Sequence, residues 1–414
     1  MTQPSSANTH PETRDARLRA PFRAQLRAWL ELARISNLPT VLSNAIAGAT
    51  LGACALAFER QRRDGLAVWF GNFAIPVGPS GPELAWLSAS GAALFLAPFA
   101  IPLCAYLGGM VLNDAFDAAI DARERPSRPI PSGRISRRAA FTAGFGLLGA
   151  AIALAAFRGS AAVVAATVVL ATAIVVYDRF HAKSVASTML LALCRALAAL
   201  IPMLAFANGD LELLVRRGAI VLPLALAAWT LGLSLLARNE IALRDADASR
   251  ADAAAQPCPK CQHLMVEKSL ESCPECGHRS TDVERRGVAR TRADLRAGYR
   301  NLVPIGAVLV LLAAFFTAHV ALLNRGRGAG DTLAAGNPGA AIVVAIILAL
   351  VAVRAAQILR REPARTPDAI GMLIACLALI DALALATGGH WLAALVCLAL
   401  FALTRRWQRA IAGS

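Results

Sequence analysis

MVLNDAFDAAIDARERPSRPIPSGR, from Met110 to Arg134, joins the end of an apolar run over 91–112 to an arginine-rich loop. At 3.6 residues per turn, Asn113, Asp117 and Asp121 share one helical face, with Asp114 one residue to the side. Carboxylates stacked at i, i+4 repel each other unless a cation lies between them. Hard oxygen ligands in a short row suit Mg²⁺, which takes one or two carboxylates and completes its shell with phosphate oxygens and water. The loop then offers Arg123, Arg125, Arg128 and Arg134, guanidinium groups suited to a phosphate. An acidic helix face beside basic residues, where an apolar segment stops, reads as a metal–diphosphate site at a membrane surface.

The rest of the chain agrees with a membrane. Of 414 residues, 57% are hydrophobic and only 17% charged, and the mean hydropathy is +0.54. Soluble domains are nearer a quarter charged. The net charge of +15 is carried by arginine, since only Lys183, Lys260 and Lys268 are lysines. Most of these arginines gather in alternate loops between apolar runs, which is the positive-inside pattern, with 59–64, 208–217 and 325–327 as exceptions that also carry some. No aromatic-interleaved basic surface accompanies them, so a nucleic-acid partner is not expected.

Runs long enough to span lie near 38–58, 91–112, 138–157, 160–177, 185–207, 218–237, 302–323, 338–358 and 368–387, with a shorter one at 390–404. The fold class expected is therefore an all-α polytopic membrane protein with nine to ten spans. Loop charge places both termini on the cytoplasmic side. Ahead of the first span, 20–36 puts Phe22, Leu26, Trp29, Leu30 and Ala33 on one stripe, the pattern of an interfacial helix. No cleavable leader is expected in the polar first 35 residues. Residues 1–19 read as a disordered basic segment, 20–245 as the first part of the membrane domain, 246–298 as a polar insertion, and 299–414 as the remaining spans.

The insertion carries Cys258-Pro259-Lys260-Cys261 and Cys273-Pro274-Glu275-Cys276. Two CxxC pairs at this spacing are expected to bind a structural Zn²⁺ through four thiolates, which leaves no open coordination position for catalysis. A partner protein for this cytoplasmic ribbon is a further expectation. The remaining cysteines, Cys54, Cys104, Cys194, Cys376 and Cys397, stand singly in apolar runs and read as small buried hydrophobes.

Two more polar clusters close later runs. Tyr177-Asp178-Arg179-Phe180-His181-Ala182-Lys183 ends the fourth, with Lys183 and Arg179 as candidate diphosphate partners. Arg238-Asn239-Glu240 and Arg244-Asp245-Ala246-Asp247 end the sixth, with Glu240 and Asp245 as candidates for a second set of metal ligands. Within the spans stand two isolated charges, Arg195 and Asp381. Each must find water or a counter-ion. Arg195 is read as able to neutralise the acids, Asp381 is given no partner, and Asn44 is read as a helix–helix hydrogen-bonding residue.

Together, Asn37-Leu38-Pro39-Thr40, the Met110–Arg134 stretch and Leu193-Cys194-Arg195-Ala196-Leu197 resemble the UbiA superfamily of intramembrane prenyltransferases, most nearly its EboC-type branch. The resemblance covers about 25–245 by motif and 300–405 by span pattern. It implies a helical bundle around a central cavity, Mg²⁺ at two acidic clusters, an isoprenoid diphosphate donor and a lipophilic acceptor among membrane lipids. It also implies that Asn113, Asp117 and Asp121 hold metal, with Asp114, Glu240 and Asp245 near it. Arg128 and Lys183 would hold the diphosphate, with Arg134 and Arg195 as further basic partners, and Tyr177 would orient it. Two departures from the family pattern stand out. Its second cluster is DxxxD, whereas Ser249 lies four residues beyond Asp245, and its Tyr-x3-Lys is stretched here to Tyr177 and Lys183. A non-catalytic or export-type lipid-binding protein is the rival reading. A CDP-alcohol phosphotransferase is a third and less favoured reading, because its Asp-Gly and Ala-Arg signature is missing.

Overall fold

The computed structural model describes residues 24–64, 67–70, 73–78, 81–82, 89–180, 185–235, 338–361 and 365–410. A helix α1 over 24–32 and a 3-10 turn Ile35–Asn37 lead into α2 (Leu38–Asp64). Three short strands follow, β1 (Ala67–Phe70), β2 (Phe73–Gly78) and β3 (Gly81–Pro82), paired antiparallel in that order. The chain continues through α3 (Ala89–Glu124), α4 (Arg137–Arg158), α5 (Ala161–Phe180), α6 (Val185–Phe206), α7 (Leu211–Arg216) and α8 (Val221–Leu235). It closes with α9 (Pro338–Arg361), α10 (Thr366–Thr387) and α11 (Trp391–Ala410).

Seven of these helices are long and apolar enough to cross a membrane among the described residues: α2 to α6, α9 and α10. The expected runs at 218–237 and 390–404 appear as α8 and α11; α8 is too short for that set, and Arg405, Arg406 and Arg409 lie at the end of α11. The run at 302–323 lies outside the described residues, as do the segment with the two CxxC pairs, Glu240 and Asp245. The strands over 67–82 were not expected from the sequence, which reads as helical on either side.

Local chemistry sets the helix limits. Pro39 and Pro367 lie in the first turns of α2 and α10, and Pro338 opens α9, where a missing N–H leaves no intrahelical bond unmade. Ser136 caps α4 by accepting from the Ala139 amide at 3.1 Å, and Gly159 ends it at φ 80°. With 36 residues, α3 is about 54 Å long, so it crosses a bilayer and still carries Asn113–Asp121 beyond the apolar stretch. The helix continues past the apolar run to Glu124, as the helical spacing of the acids requires.

Lipid cannot drive helices together by hydrophobicity, so the bundle relies on close backbone approach. Helix α2 packs on α3, α6, α10 and α11. At its crossing with α6, a Cβ on Gly48 would overlap the Ala199 carbonyl, and one on Gly52 would overlap the Met203 carbonyl. Helices α3 and α4 meet similarly, with a Cβ on Gly108 falling 2.9 Å from the Gly144 carbonyl oxygen. Outward faces remain apolar, as along α9 at Ile342, Val343, Ile346, Leu350 and Val353.

In α1, part of the expected stripe packs against the bundle and part faces outward. Ala28 and Leu32 are the buried residues of α1, seated on Val111, Ala115, Ile135 and Ala140, with Trp29 and Ala33 beside them. Leu26 and Leu30 face outward.

Candidate active site

The end of α3 carries Asp114, Asp117 and Asp121 in its last three turns, where the negative end of the helix dipole adds to their mutual repulsion. The loop 125–136 folds back to answer this. Arg125 N donates to Asp121 O at 2.8 Å, Arg128 N to Arg125 O at 3.1 Å and Ser132 N to Arg128 O at 3.0 Å, forming consecutive turns. Ile135 N donates to Pro129 O at 3.1 Å. Gly133, at φ 76°, supplies the left-handed step this return needs.

These turns aim Arg128 inward. Its Nη1 donates to Asp121 Oδ2 at 2.7 Å and lies 3.6 Å from Asp114 Oδ1. All three side chains are 6% exposed, so this is a buried ion triad. Arg34 reaches Asp114 from the other side, with Nη2 3.3 Å from Oδ1. Asn113 Nδ2 donates to Asp117 Oδ2 at 3.4 Å.

Helix α5 brings a further acid to the same place. Asp178 is buried, and it lies within the electrostatic reach of Asp117 and Asp114, which repel it, and of Arg34, which attracts it. Tyr177 is half-buried beside it and senses Asp117 and Arg34. The sequence reading passed over both Asp178 and Arg34. Asp178 had a signal, an acid next to Tyr177 at the end of an apolar run. Arg34 had little, because it looked like one more basic residue on an interfacial helix.

Not every expected residue joins the row. Arg134 lies at the surface and pairs with Glu31 of α1 at 2.9 Å and 3.4 Å, while Nη2 also donates to Ser127 O at 2.7 Å. It fastens α1 to the loop. Arg179 faces outward over the Phe180 ring, 5.3 Å from its centroid. Arg195 does not touch the acids of α3; its Nη1 donates to Asn44 Oδ1 at 3.0 Å and approaches Thr40 Oγ1 at 3.4 Å. Asn44 makes the helix–helix bond expected of it, from Nδ2 to Asp381 Oδ2 at 2.7 Å. Asp381, given no partner from sequence, thereby acquires one. Lys183 and His181 lie outside the described residues.

The donor set decides how a divalent cation fits. Among the described residues, no three His, Cys, Asp or Glu side chains converge as a metal-binding group. Asp114 and Asp121 are engaged by arginine, whereas Asp117 faces Asp178 across two helices. One or two carboxylate oxygens suffice for Mg²⁺ when a phosphorylated ligand supplies the others. The carboxylates present could fill part of such a shell; the expected second set, Glu240 and Asp245, lies outside the described residues.

Known proteins resemble this chain over parts of its length. A model of the UbiA prenyltransferase family matches residues 68–253. A digeranylgeranylglyceryl phosphate synthase from Methanoregula boonei is 43% identical over 76 residues, covering 18% of this chain and 27% of the relative. The enzyme of the same name from Methanopyrus kandleri is 59% identical over 46 residues, 11% of this chain and 16% of that one. The chain thus spans about a quarter or less of the length of these curated relatives. A solved structure described as digeranylgeranylglyceryl phosphate synthase in membranes aligns with a TM-score of 0.47 at 17% identity, over 92% of this chain and 99% of the other.

Proposed function

We propose that this chain is a Mg²⁺-dependent integral-membrane prenyltransferase that moves an isoprenoid group from its diphosphate to an aromatic or other lipophilic acceptor. The observation that carries the reading is the meeting of the α3 acids with Asp178 of α5 under the guanidinium groups of Arg128 and Arg34, inside a segment similar to prenyltransferases. A glyceryl phosphate lipid belongs among the candidate acceptors, given the names of the relatives.

In this reading Asn113, Asp117 and Asp121 hold Mg²⁺, with Asp114 nearby and Glu240 and Asp245 on a facing element. When bound, Mg²⁺ supplies charge that stabilises the departing diphosphate. The chain's own residues do the rest. Arg128, Arg34, Lys183 and Arg195 hold the phosphate oxygens, and their charge gains weight in a site of low dielectric. Tyr177 orients the diphosphate or faces the allylic carbon as its C–O bond breaks. Apolar helix faces keep bulk water from that carbon until the acceptor attacks. Arg134, which fastens α1, leaves the list of diphosphate partners and keeps only a supporting role.

Nine to ten spans, cytoplasmic termini and an EboC-like branch complete the membrane domain. Zn²⁺ on Cys258, Cys261, Cys273 and Cys276 stabilises the ribbon, which serves as a docking element for a partner protein.

The test is a vesicle assay with radiolabelled isoprenyl diphosphates and Mg²⁺, comparing the native chain with Asp117→Ala. Transfer by the native chain and none by the variant is expected. No transfer by either returns the reading to a lipid-binding protein, which the missing second DxxxD favours.

A further inference from the structure

A second polar assembly lies deeper in the bundle, and the proposed reaction leaves part of it unused. Asp381 is fully buried in the second half of α10, in one of the most enclosed helices of the structure. Its Oδ2 accepts from Ser43 Oγ at 2.6 Å and from Asn44 Nδ2 at 2.7 Å, both on α2. Asn44 turns its other face to α6, where its Oδ1 accepts from Arg195 Nη1 at 3.0 Å. One amide therefore bridges an intramembrane acid and an intramembrane base. Each of these charges acts on the other.

The assembly does not end at Arg195. Tyr106 of α3 lies within the electrostatic reach of Arg195 and of Arg34, and its hydroxyl donates to the Arg34 carbonyl at 3.0 Å. Arg34 in turn holds Asp114. Hydrogen bonds thus run from α10 through α2 to Arg195 of α6, and a second set runs from Tyr106 through Arg34 to Asp114 of α3; between Arg195 and Tyr106 the link is electrostatic reach. A guanidinium has five N–H donors in a rigid fork, and the bonds from Arg195 to Thr40 and Asn44 use Nη1 alone. Among the described residues, the rest of the fork is left for another anion. Asp381 Oδ1 makes no hydrogen bond among the described residues, so the acid is held through one oxygen.

We propose that Asp381 is a positioning residue, which through Asn44 fixes the Arg195 guanidinium beside Tyr106 so that it meets a diphosphate. This rests on the reading of Arg195 as a diphosphate partner. It gives α10, far along the chain from the acid motif, a part in the site. A simple polar clip between helices would use the same bonds, but it would not transmit to ligand affinity.

The experiment uses the full chain, purified in detergent, with inorganic pyrophosphate and Mg²⁺ as the probe. Binding is titrated for the native chain, Asp381→Asn, Asn44→Ala, Arg195→Met and the double variant Asp381→Asn/Arg195→Met. About a tenfold loss of affinity is expected for each single variant, in the range that supporting hydrogen-bond partners command. The double variant should bind no more weakly than Arg195→Met alone. Unchanged binding by Asp381→Asn, or losses that multiply in the double variant, would overturn the proposal.

Thermal unfolding without ligand supplies the second arm. Arg195→Met should lower the midpoint by leaving Asp381 as a lone buried carboxylate, and adding Asp381→Asn should restore most of it. Equal midpoints for Arg195→Met and the double variant would overturn the pairing. A native chain that binds no pyrophosphate overturns the ligand role along with the diphosphate reading, while the unfolding arm still judges the pair.

Discussion

Arg34 adopts φ 44° and ψ 49°, a left-handed conformation that costs a residue with a Cβ about 1–2 kcal/mol. Such strain persists where surrounding contacts over-determine it. Here the Tyr106 hydroxyl holds the Arg34 carbonyl and Asp114 holds its guanidinium. The strain and the ligand role can be separated by Arg34→Gly, which relieves the backbone while removing the charge. Stability should change by less than about 1 kcal/mol in thermal unfolding, since lost ion pair and relieved strain oppose each other. The donor KM should rise about tenfold or more, because a hydrogen bond to a charged group is worth about 1.5–3 kcal/mol. An unchanged KM would remove Arg34 from the site. Arg128 makes the opposite forecast. Its triad with Asp121 and Asp114 is buried, so Arg128→Met should destabilise the fold by about 3–5 kcal/mol, because Asp121 loses its cation and Asp114 keeps only Arg34. Restoring charge with Arg128→Lys should recover only part, because one ammonium does not reproduce the fork that reaches both acids.

At the level of elements, the crossing of α2 on α6 sets the distance between Asn44 and Arg195. Gly48 and Gly52 lie one turn apart on the α2 face that meets the Ala199 and Met203 carbonyls. Gly52→Val would drive those backbones apart, and overpacking of this kind costs about 1–3 kcal/mol. The expected result is a lower unfolding midpoint together with reduced transfer. Gly149→Val, where a Cβ meets nothing, should leave both unaltered. Comparing the two by unfolding and vesicle assay checks the crossing. The limits of sequence reading show in the same elements. The spans were legible because apolar length is a local property, and α4, α5, α6, α9 and α10 appear where composition puts them. The acid row was legible because its spacing lies within one helix. What turns toward it was not, since helix rotation is set by packing, as the seating of α1 on Ala28 and Leu32 shows. Asp178 and Arg34 depend on that rotation, as does the pairing of Arg134 with Glu31. Asp381 was visible as a costly charge, but its contact with Asn44 bridges 337 positions in sequence.

For the whole molecule, α2 is the element that joins the early helices to the late ones. It packs on α6 and α3 as well as on α10 and α11. At the acid-bearing end, Gln408 of α11 donates to Asn37 Oδ1 at 3.0 Å, and Arg405 holds Asp368 of α10 at 3.0 Å. The same end carries the loop 125–136 and the basic C-terminal turn of α11, whereas the α4–α5 turn at Gly159 and Ser160 lies at the other. Arginine is denser at the acid-bearing end, although Arg158, Arg216 and Arg217 stand at the other, and that imbalance predicts a fixed orientation across the bilayer. Two cysteine reporters test it, Ser127→Cys in the basic loop and Ala161→Cys at the start of α5, both exposed positions. A membrane-impermeant maleimide applied to intact cells should modify Ala161→Cys, and should modify Ser127→Cys only after permeabilisation. Reading the modified peptides by mass spectrometry keeps native cysteines, including the CxxC pairs, from confusing the result. Modification of Ser127→Cys in intact cells would put the acid row on the outer face, away from a cytosolic supply of diphosphates, and would require the charge argument for orientation to be abandoned.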